Sequence, residues 1–205
     1  MLPVGKTIWV SDHHEGRVTR IDAATGLVVG RTVLGPTGLG GPNDMALGDG
    51  SVWVELPNRE QVVRMDPQTA RVTARIQLPA SFGDDSQILV QPDAVWVDGG
   101  GNTPDIVRID PGTNRVAAHI ALDGFPGQDA LTSDPMAIGG AVWVATMDPG
   151  PLELERIDPA TNTVTQKVPF AGLNGAGPSI VADGYAWITD GVGTMVSIPI
   201  SDRGG

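Results

Sequence analysis

Apolar residues in this chain fall into short runs rich in Val, Ile and Trp, broken at close intervals by Gly, Pro, Asp and Asn. That pattern predicts β-strands joined by turns, because β-branched and aromatic residues favour a pleated backbone while the interrupting residues favour reversals. Residues 45–78 show the unit plainly. Met45-Ala46-Leu47 predicts strand A, and Gly48-Asp49-Gly50 turns the chain into strand B, Ser51-Val52-Trp53-Val54. After a loop from Glu55 to Glu60 comes strand C, Gln61 to Met65, and a turn at Asp66 to Ala70 leads into strand D, Arg71 to Leu78. No stretch carries the 3.6-residue period of an amphipathic helix.

The unit repeats. Trp9, Trp53, Trp96, Trp143 and Trp187 each sit between small aliphatic residues, at spacings of 44, 43, 47 and 44. A second series follows at the same period: Arg20-Ile21-Asp22, Arg64-Met65-Asp66, Arg108-Ile109-Asp110 and Arg156-Ile157-Asp158, with a degenerate Ser197-Ile198-Pro199. Short β-rich repeats of this length predict an all-β fold, a β-propeller of about five four-stranded blade units. The units span 1–34, 45–78, 87–122, 135–169 and 178–200 of a single domain. The first and last are incomplete: residues 2–4 hold the tail of a strand A, and Ser201 to Gly205 replace the final strand D. The expectation is a five-bladed ring with an imperfect seam or an arc of a six- or seven-bladed ring.

Within each unit the repeated residues have local explanations. In the turn Asp-Pro-x-Thr-Asn the Asp accepts backbone N–H groups, Pro presets φ, and Asn or Gly (Gly26 in the first copy) adopts a left-handed conformation. These Asp residues therefore read as structural. Arg and Asp of strand C lie two apart on one face, so an Arg–Asp contact or an Arg extended between blades is expected. The Trp residues are expected to fill the space between blades.

Composition narrows the function. The 28 Gly and 17 Pro leave little room for long helices. A net charge of −11 argues against nucleic acid as a partner, since phosphate neutralisation needs a basic surface. There is no Cys, which removes thiolate chemistry and Cys-based metal sites. No apolar run is long enough to insert into a membrane, and Met1 to Gly5 is too short for a signal-peptide core.

Strand alternation places A–B and C–D turns at one end of the fold, B–C loops and blade-to-blade D–A connections at the other. The turn end is short and repetitive. The loop spans of the opposite end are long and dissimilar, and hold fifteen carboxylates against Arg59 alone. Variable loops on a repeated scaffold make that acidic end the candidate binding face, with solvation of the loops as the alternative. Asp12, Glu55, Asp98 and Asp190 follow strand B closely in four blades, and Asp44 precedes a strand A, so these five are the candidate binding carboxylates. His13 and His14, beside Asp12 and Glu15, could relay protons or serve as a catalytic base, or form a solvated loop. Asn43 and Asp44 offer oxygens suited to Ca²⁺ or Mg²⁺, or to a turn.

The motif Gly-x-Gly-x-Val-Trp-Val followed by Val-x-Arg-Ile-Asp-Pro-x-Thr-Asn/Gly-x-Val resembles bacterial propellers of the YVTN type and of the streptogramin (virginiamycin B) lyase type, over nearly the whole chain. The lyases open a cyclic peptide antibiotic by elimination, using a His and Glu constellation with Mg²⁺, and commonly place a His after Pro at the start of strand A. Here those places hold Asn43-Asp44, Asp134-Pro135 and Pro178-Ser179. Pro42-Asn43-Asp44 is also similar to the Pro-Asn-Asp of gluconolactonase and regucalcin-type propellers, which implies Asn43 as a metal ligand and Asp134 as a second. These resemblances imply a periplasmic or secreted protein.

Two functions are therefore expected. The first is a binding scaffold whose acidic loop face recognises a cationic or polyhydroxyl small molecule or a protein partner. The alternative is a divalent-metal-dependent lyase or lactone hydrolase, with Asn43 and Asp134 as ligands and His13 or His14 as base.

Overall fold

The computed structural model describes residues 1–38, 40–79, 86–99, 105–122, 133–146, 152–173, 178–190 and 193–199. These form five antiparallel sheets, each a meander in chain order. The first holds Leu2–Val4 (β1), Thr7–Asp12 (β2), Arg17–Asp22 (β3) and Val28–Val33 (β4). The second holds Met45–Gly48 (β5), Ser51–Leu56 (β6), Gln61–Met65 (β7) and Val72–Gln77 (β8), with a single 3₁₀ turn at Pro57–Arg59 in its B–C loop. Ile88–Gln91 (β9), Ala94–Asp98 (β10), Asp105–Asp110 (β11) and Arg115–Ala121 (β12) make the third. The fourth is Met136–Ile138 (β13), Ala141–Thr146 (β14), Leu152–Asp158 (β15) and Thr163–Phe170 (β16). Ser179–Ala182 (β17), Tyr185–Thr189 (β18) and Met195–Pro199 (β19) form a three-stranded fifth sheet.

This is the all-β propeller architecture. The innermost strands pack in succession, β1 on β5, β5 on β9, β9 on β13 and β13 on β17, and the five sheets are not closed into a ring. Among the described residues no helix is long and apolar enough to cross a membrane.

The core lies between sheets rather than within one centre. Val52, Val54, Met65 and Leu56 of the second sheet bury against Trp9, Val18 and Leu34 of the first. Trp53 packs in the same way against Val95 and Val97, and Trp96 against Val142 and Val144. Trp9, Trp53 and Trp96 are fully buried. Truncating one of them would cost about 3–5 kcal/mol.

The repeated Arg has a different partner from the one its sequence neighbourhood suggests. Among the described residues no ion pair joins Arg64 to Asp66 or Arg108 to Asp110. Each Arg instead lies over the Trp opposite it, 4.9 Å from the ring centroid for Arg64 and 5.7 Å for Arg108, and reaches the next sheet. Arg64 Nη1 donates to the Pro111 carbonyl (2.6 Å) and to Asn114 Oδ1 (3.1 Å). Arg108 Nη1 donates to the Pro159 carbonyl (3.0 Å) and Asn162 Oδ1 (3.2 Å). Arg20, facing Ala70 where later turns have Asn, makes among the described residues a single hydrogen bond to the next sheet, to the Gln68 carbonyl (3.1 Å). The guanidinium fork thus latches each of the first three sheets to the C–D turn of its successor.

Those turns are stiffened from within. Asp66 Oδ1 accepts the N–H groups of Gln68 (2.9 Å) and Thr69 (2.7 Å), and Asp22 and Asp110 do the same in their own turns. Hydrogen bonds from the Thr25 side chain, the Thr69 backbone and the Gly112 backbone hold Asp22, Asp66 and Asp110 below the ordinary carboxylate range. Asn114 and Asn162 take φ of 54° and 56°, so one residue type closes the turn and receives the latch.

Candidate functional site

The loop end is built where the segment before each innermost strand meets the end of strand B. Glu55 and Asp98 both stand two residues after their Trp and so share its face, turned towards the next sheet. Glu55 is 0% exposed and Asp98 1%. Their backbones tie down the incoming chain: Asn43 N–H donates to the Glu55 carbonyl (3.1 Å) and Glu55 N–H to the Asp44 carbonyl (3.0 Å). In the third sheet Asp98 N–H donates to the Gln87 carbonyl (3.3 Å), and Asp98 Oδ1 receives the Gln87 N–H. Ala145 has no side-chain acceptor at the equivalent place, and the Ser133 hydroxyl takes its N–H instead (2.9 Å).

Asp12 and Asp190 stand one residue further on and therefore on the opposite face. They are half-buried and close their own loops. Asp12 Oδ1 accepts the Glu15 N–H (3.1 Å) and its Oδ2 pairs with Arg17 (3.2 Å). Arg17 also approaches Glu15 (3.5 Å), so a cation from the end of β3 joins Arg59 at this end. Asp190 Oδ1 accepts the Thr194 N–H (2.9 Å). The four strand-B carboxylates consequently split into a buried pair and a rim pair.

Asp44 and Asp134 are linked by charge. Each precedes an innermost strand and reaches across to the next one: Asp44 Oδ2 accepts the Ile88 N–H (2.9 Å), while Ser179 gives Asp134 a backbone hydrogen bond to its carboxylate and a hydroxyl bond to its carbonyl (2.7 Å). Burial pushes the Asp134 carboxyl above its ordinary range, and the charge of Asp44 adds to that push. Two carboxylates from sheets 2 and 4 therefore share one field at the inner mouth, with sheet 3 between them. Asn43 Nδ2 donates to the Ser86 carbonyl (3.3 Å), and Asp44 and Asp134 are the carboxylates here that could meet a cation.

His13 and His14 are exposed in the β2–β3 loop of the first sheet. Their carbonyls accept the N–H groups of Gly41 (2.8 Å) and Gly38 (2.7 Å), and a Cβ on Gly41 would collide with the His13 carbonyl. This packing of loop on loop fixes the backbone and leaves the imidazoles outside the Asp44–Asp134 pair. Among the described residues no three of His, Asp and Glu are grouped to hold a metal ion. Asp84, Asp85, Asp123, Asp129 and Asp148 lie outside the described residues.

Position alone does not mark Glu155 in the sequence. It occupies the place of Val63 and Val107, pairs across the strands with Val144, and is 0% exposed. Burial, with a smaller contribution from Glu153, lifts its carboxyl to about 7, although Thr146 Oγ1 donates to it (2.9 Å). The signal that could have found it is a charged residue at a position that two other repeats fill with Val.

No family model matches the chain, and no curated protein matches it in sequence. Solved β-propeller structures match its fold. Hydrazine synthase of Kuenenia stuttgartiensis superposes with a TM-score of 0.68 at 16% identity, covering 100% of this chain and 66% of that one. BamB from Moraxella catarrhalis gives 0.71 at 17%, covering 100% and 57%, and the dihydro-heme d1 dehydrogenase NirN in complex with DHE gives 0.67 at 15%, covering 95% and 43%. The chain thus spans at most 66% of the length of these solved chains. Likeness at such identity establishes the propeller architecture alone.

Proposed function

We propose that the chain is a binding scaffold without chemistry of its own, whose loop end takes up a cationic ligand, a Lys- or Arg-bearing segment of a protein partner. The observation that carries this reading is the Asp134 carboxyl near the inner mouth, which burial makes costly to ionise and which the charge of Asp44 makes costlier still. A ligand cation placed between them would relieve that repulsion and gain from two carboxylates at once. Asp12, Glu15 and Asp190 extend the negative field along the rim, and Glu55 and Asp98 support the mouth from beneath. The net charge of −11 supplies long-range attraction for such a partner. An extracytoplasmic location goes with this reading, as the blade resemblance implies.

Calorimetric titration with an oligolysine peptide tests it. Binding should weaken steeply with added salt and weaken further in Asp44→Asn and in Asp134→Asn. It should also tighten as pH rises through the titration of Asp134, because the bound cation favours the ionised carboxyl. Binding indifferent to both substitutions would refute the assignment. A polyhydroxyl ligand bound through the same carboxylates would show little salt dependence and would correct the ligand class.

A further inference from the structure

The two outermost faces of the arc are more exposed than the equivalent faces inside it. Val52, Val54 and Met65, then Val95, Val97 and Ile109, then Val142, Val144 and Ile157, form the faces that receive a preceding sheet, and all are 0% exposed. Ile8, Val10 and Ile21 hold the same register positions in the first sheet and are only half-buried, with none of the described sheets packed on them. At the other end, Ile180, Trp187 and Tyr185 occupy the face that the earlier sheets bury in their successors. Ile180 is 64% exposed and Tyr185 41%, with the Tyr185 and Trp187 rings 6.1 Å apart. The chain thus carries, at opposite ends, both halves of the joint it builds four times internally.

We propose that these two faces join copies of this chain head to tail, the Trp187 face of one copy seating on the Ile8–Val10 face of the next. Internal continuity supplies the argument: an aromatic face against an aliphatic one is the pairing used at every interior junction. Charge adds to it. Lys6 and Arg31 flank the receiving face, whereas exposed Asp183 lies in the β17–β18 turn, at the same turn end as Lys6. The joint also lacks the latch that strengthens the first three interior joints. Ser197 stands opposite Trp187 where Arg20, Arg64, Arg108 and Arg156 stand opposite theirs, so no guanidinium latches the next copy. The association is therefore reversible, and being heterologous it adds copies in series unless the arc closes.

Sedimentation velocity over a wide concentration range tests this. The wild-type chain should grow beyond its 21.3 kDa monomer as concentration rises. Trp187→Asp and Val10→Asp should each sediment as monomers, and their equimolar mixture should form a dimer that grows no further, since each variant retains the half the other lacks. Circular dichroism verifies that the variants fold. Ile180→Lys, at a side chain already exposed, replaces Trp187→Asp should that one unfold. A wild-type chain monomeric throughout, as closure within one chain or capping by a different polypeptide would give, overturns the proposal. Variants that associate like wild type, or a mixture that stays monomeric, overturn it equally.

Discussion

The two ends of the propeller spend their carboxylates differently. At the turn end Asp22, Asp66, Asp110 and Asp158 each bond the backbone of their own turn, and the same arrangement recurs from sheet to sheet. At the loop end the described carboxylates take several roles: Glu55 and Asp98 are buried, Asp12 pairs with Arg17, Asp44 and Asp134 tether the next innermost strand, and Glu155 replaces a Val. Repetition marks what the fold needs, because every blade faces the same mechanical problem. Its breakdown marks where the chain is free to do something particular.

The largest expected effect sits at the turn end. Arg108→Met keeps much of the stem over Trp96 but removes two bonds to the next sheet's turn, and should cost about 2–3 kcal/mol in urea unfolding. Arg156→Met is the internal control. Arg156 Nη1 bonds Thr165 of its own sheet (2.8 Å) rather than a following turn, so the loss should stay within about 0.5 kcal/mol. Equal losses would remove the latch from the account.

Glu155→Gln probes the loop end and should stabilise. The folded carboxyl titrates near 7 against an ordinary 4.5, so the folded state holds its proton more tightly than the unfolded chain does. Below about 4.5 that residue carries no penalty; the penalty grows as pH rises and is complete above about 7. The Gln variant should therefore match wild type in acid and exceed it by about 1–3 kcal/mol at alkaline pH, read from paired unfolding curves. A difference that does not change with pH would contradict the burial argument.

A smaller gain is expected from Ala70→Asn. Ala70 takes φ of 55°, and Asn tolerates that conformation while offering Arg20 the side-chain oxygen that Asn114 offers Arg64. Thermal unfolding should show an increase equivalent to about 0.5–1 kcal/mol. No gain would mean that the buried methyl of Ala70 already contributes as much.

Much of this architecture was legible in the sequence because Trp and Arg-Ile-Asp mark two different strands at one period. The Arg partner was not: Arg64 meets Pro111 and Asn114, 47 and 50 residues away in the next repeat, while Asp66 stands beside it in the chain. The acidic loop end was legible as composition but not as geometry. A one-residue offset turns Glu55 and Asp98 into the junction and Asp12 and Asp190 away from it, and strand alternation makes such an offset decisive. Arg17 escaped because it belongs to a strand whose end neutralises a loop. The influence of the Asp44 charge on Asp134 depends on how three sheets are arranged, which no local pattern records.

The claim that recognition resides at the loop end is tested most directly by the salt dependence of oligolysine binding in two charge-neutralised variants. Asp44→Asn with Asp134→Asn alters the inner mouth, whereas Asp66→Asn with Asp110→Asn removes equal charge from the turn end. The account predicts a shallower salt slope and weaker binding for the mouth variant, with the turn-end variant close to wild type. Equal weakening in both variants, or a loss confined to the turn-end variant, would contradict it.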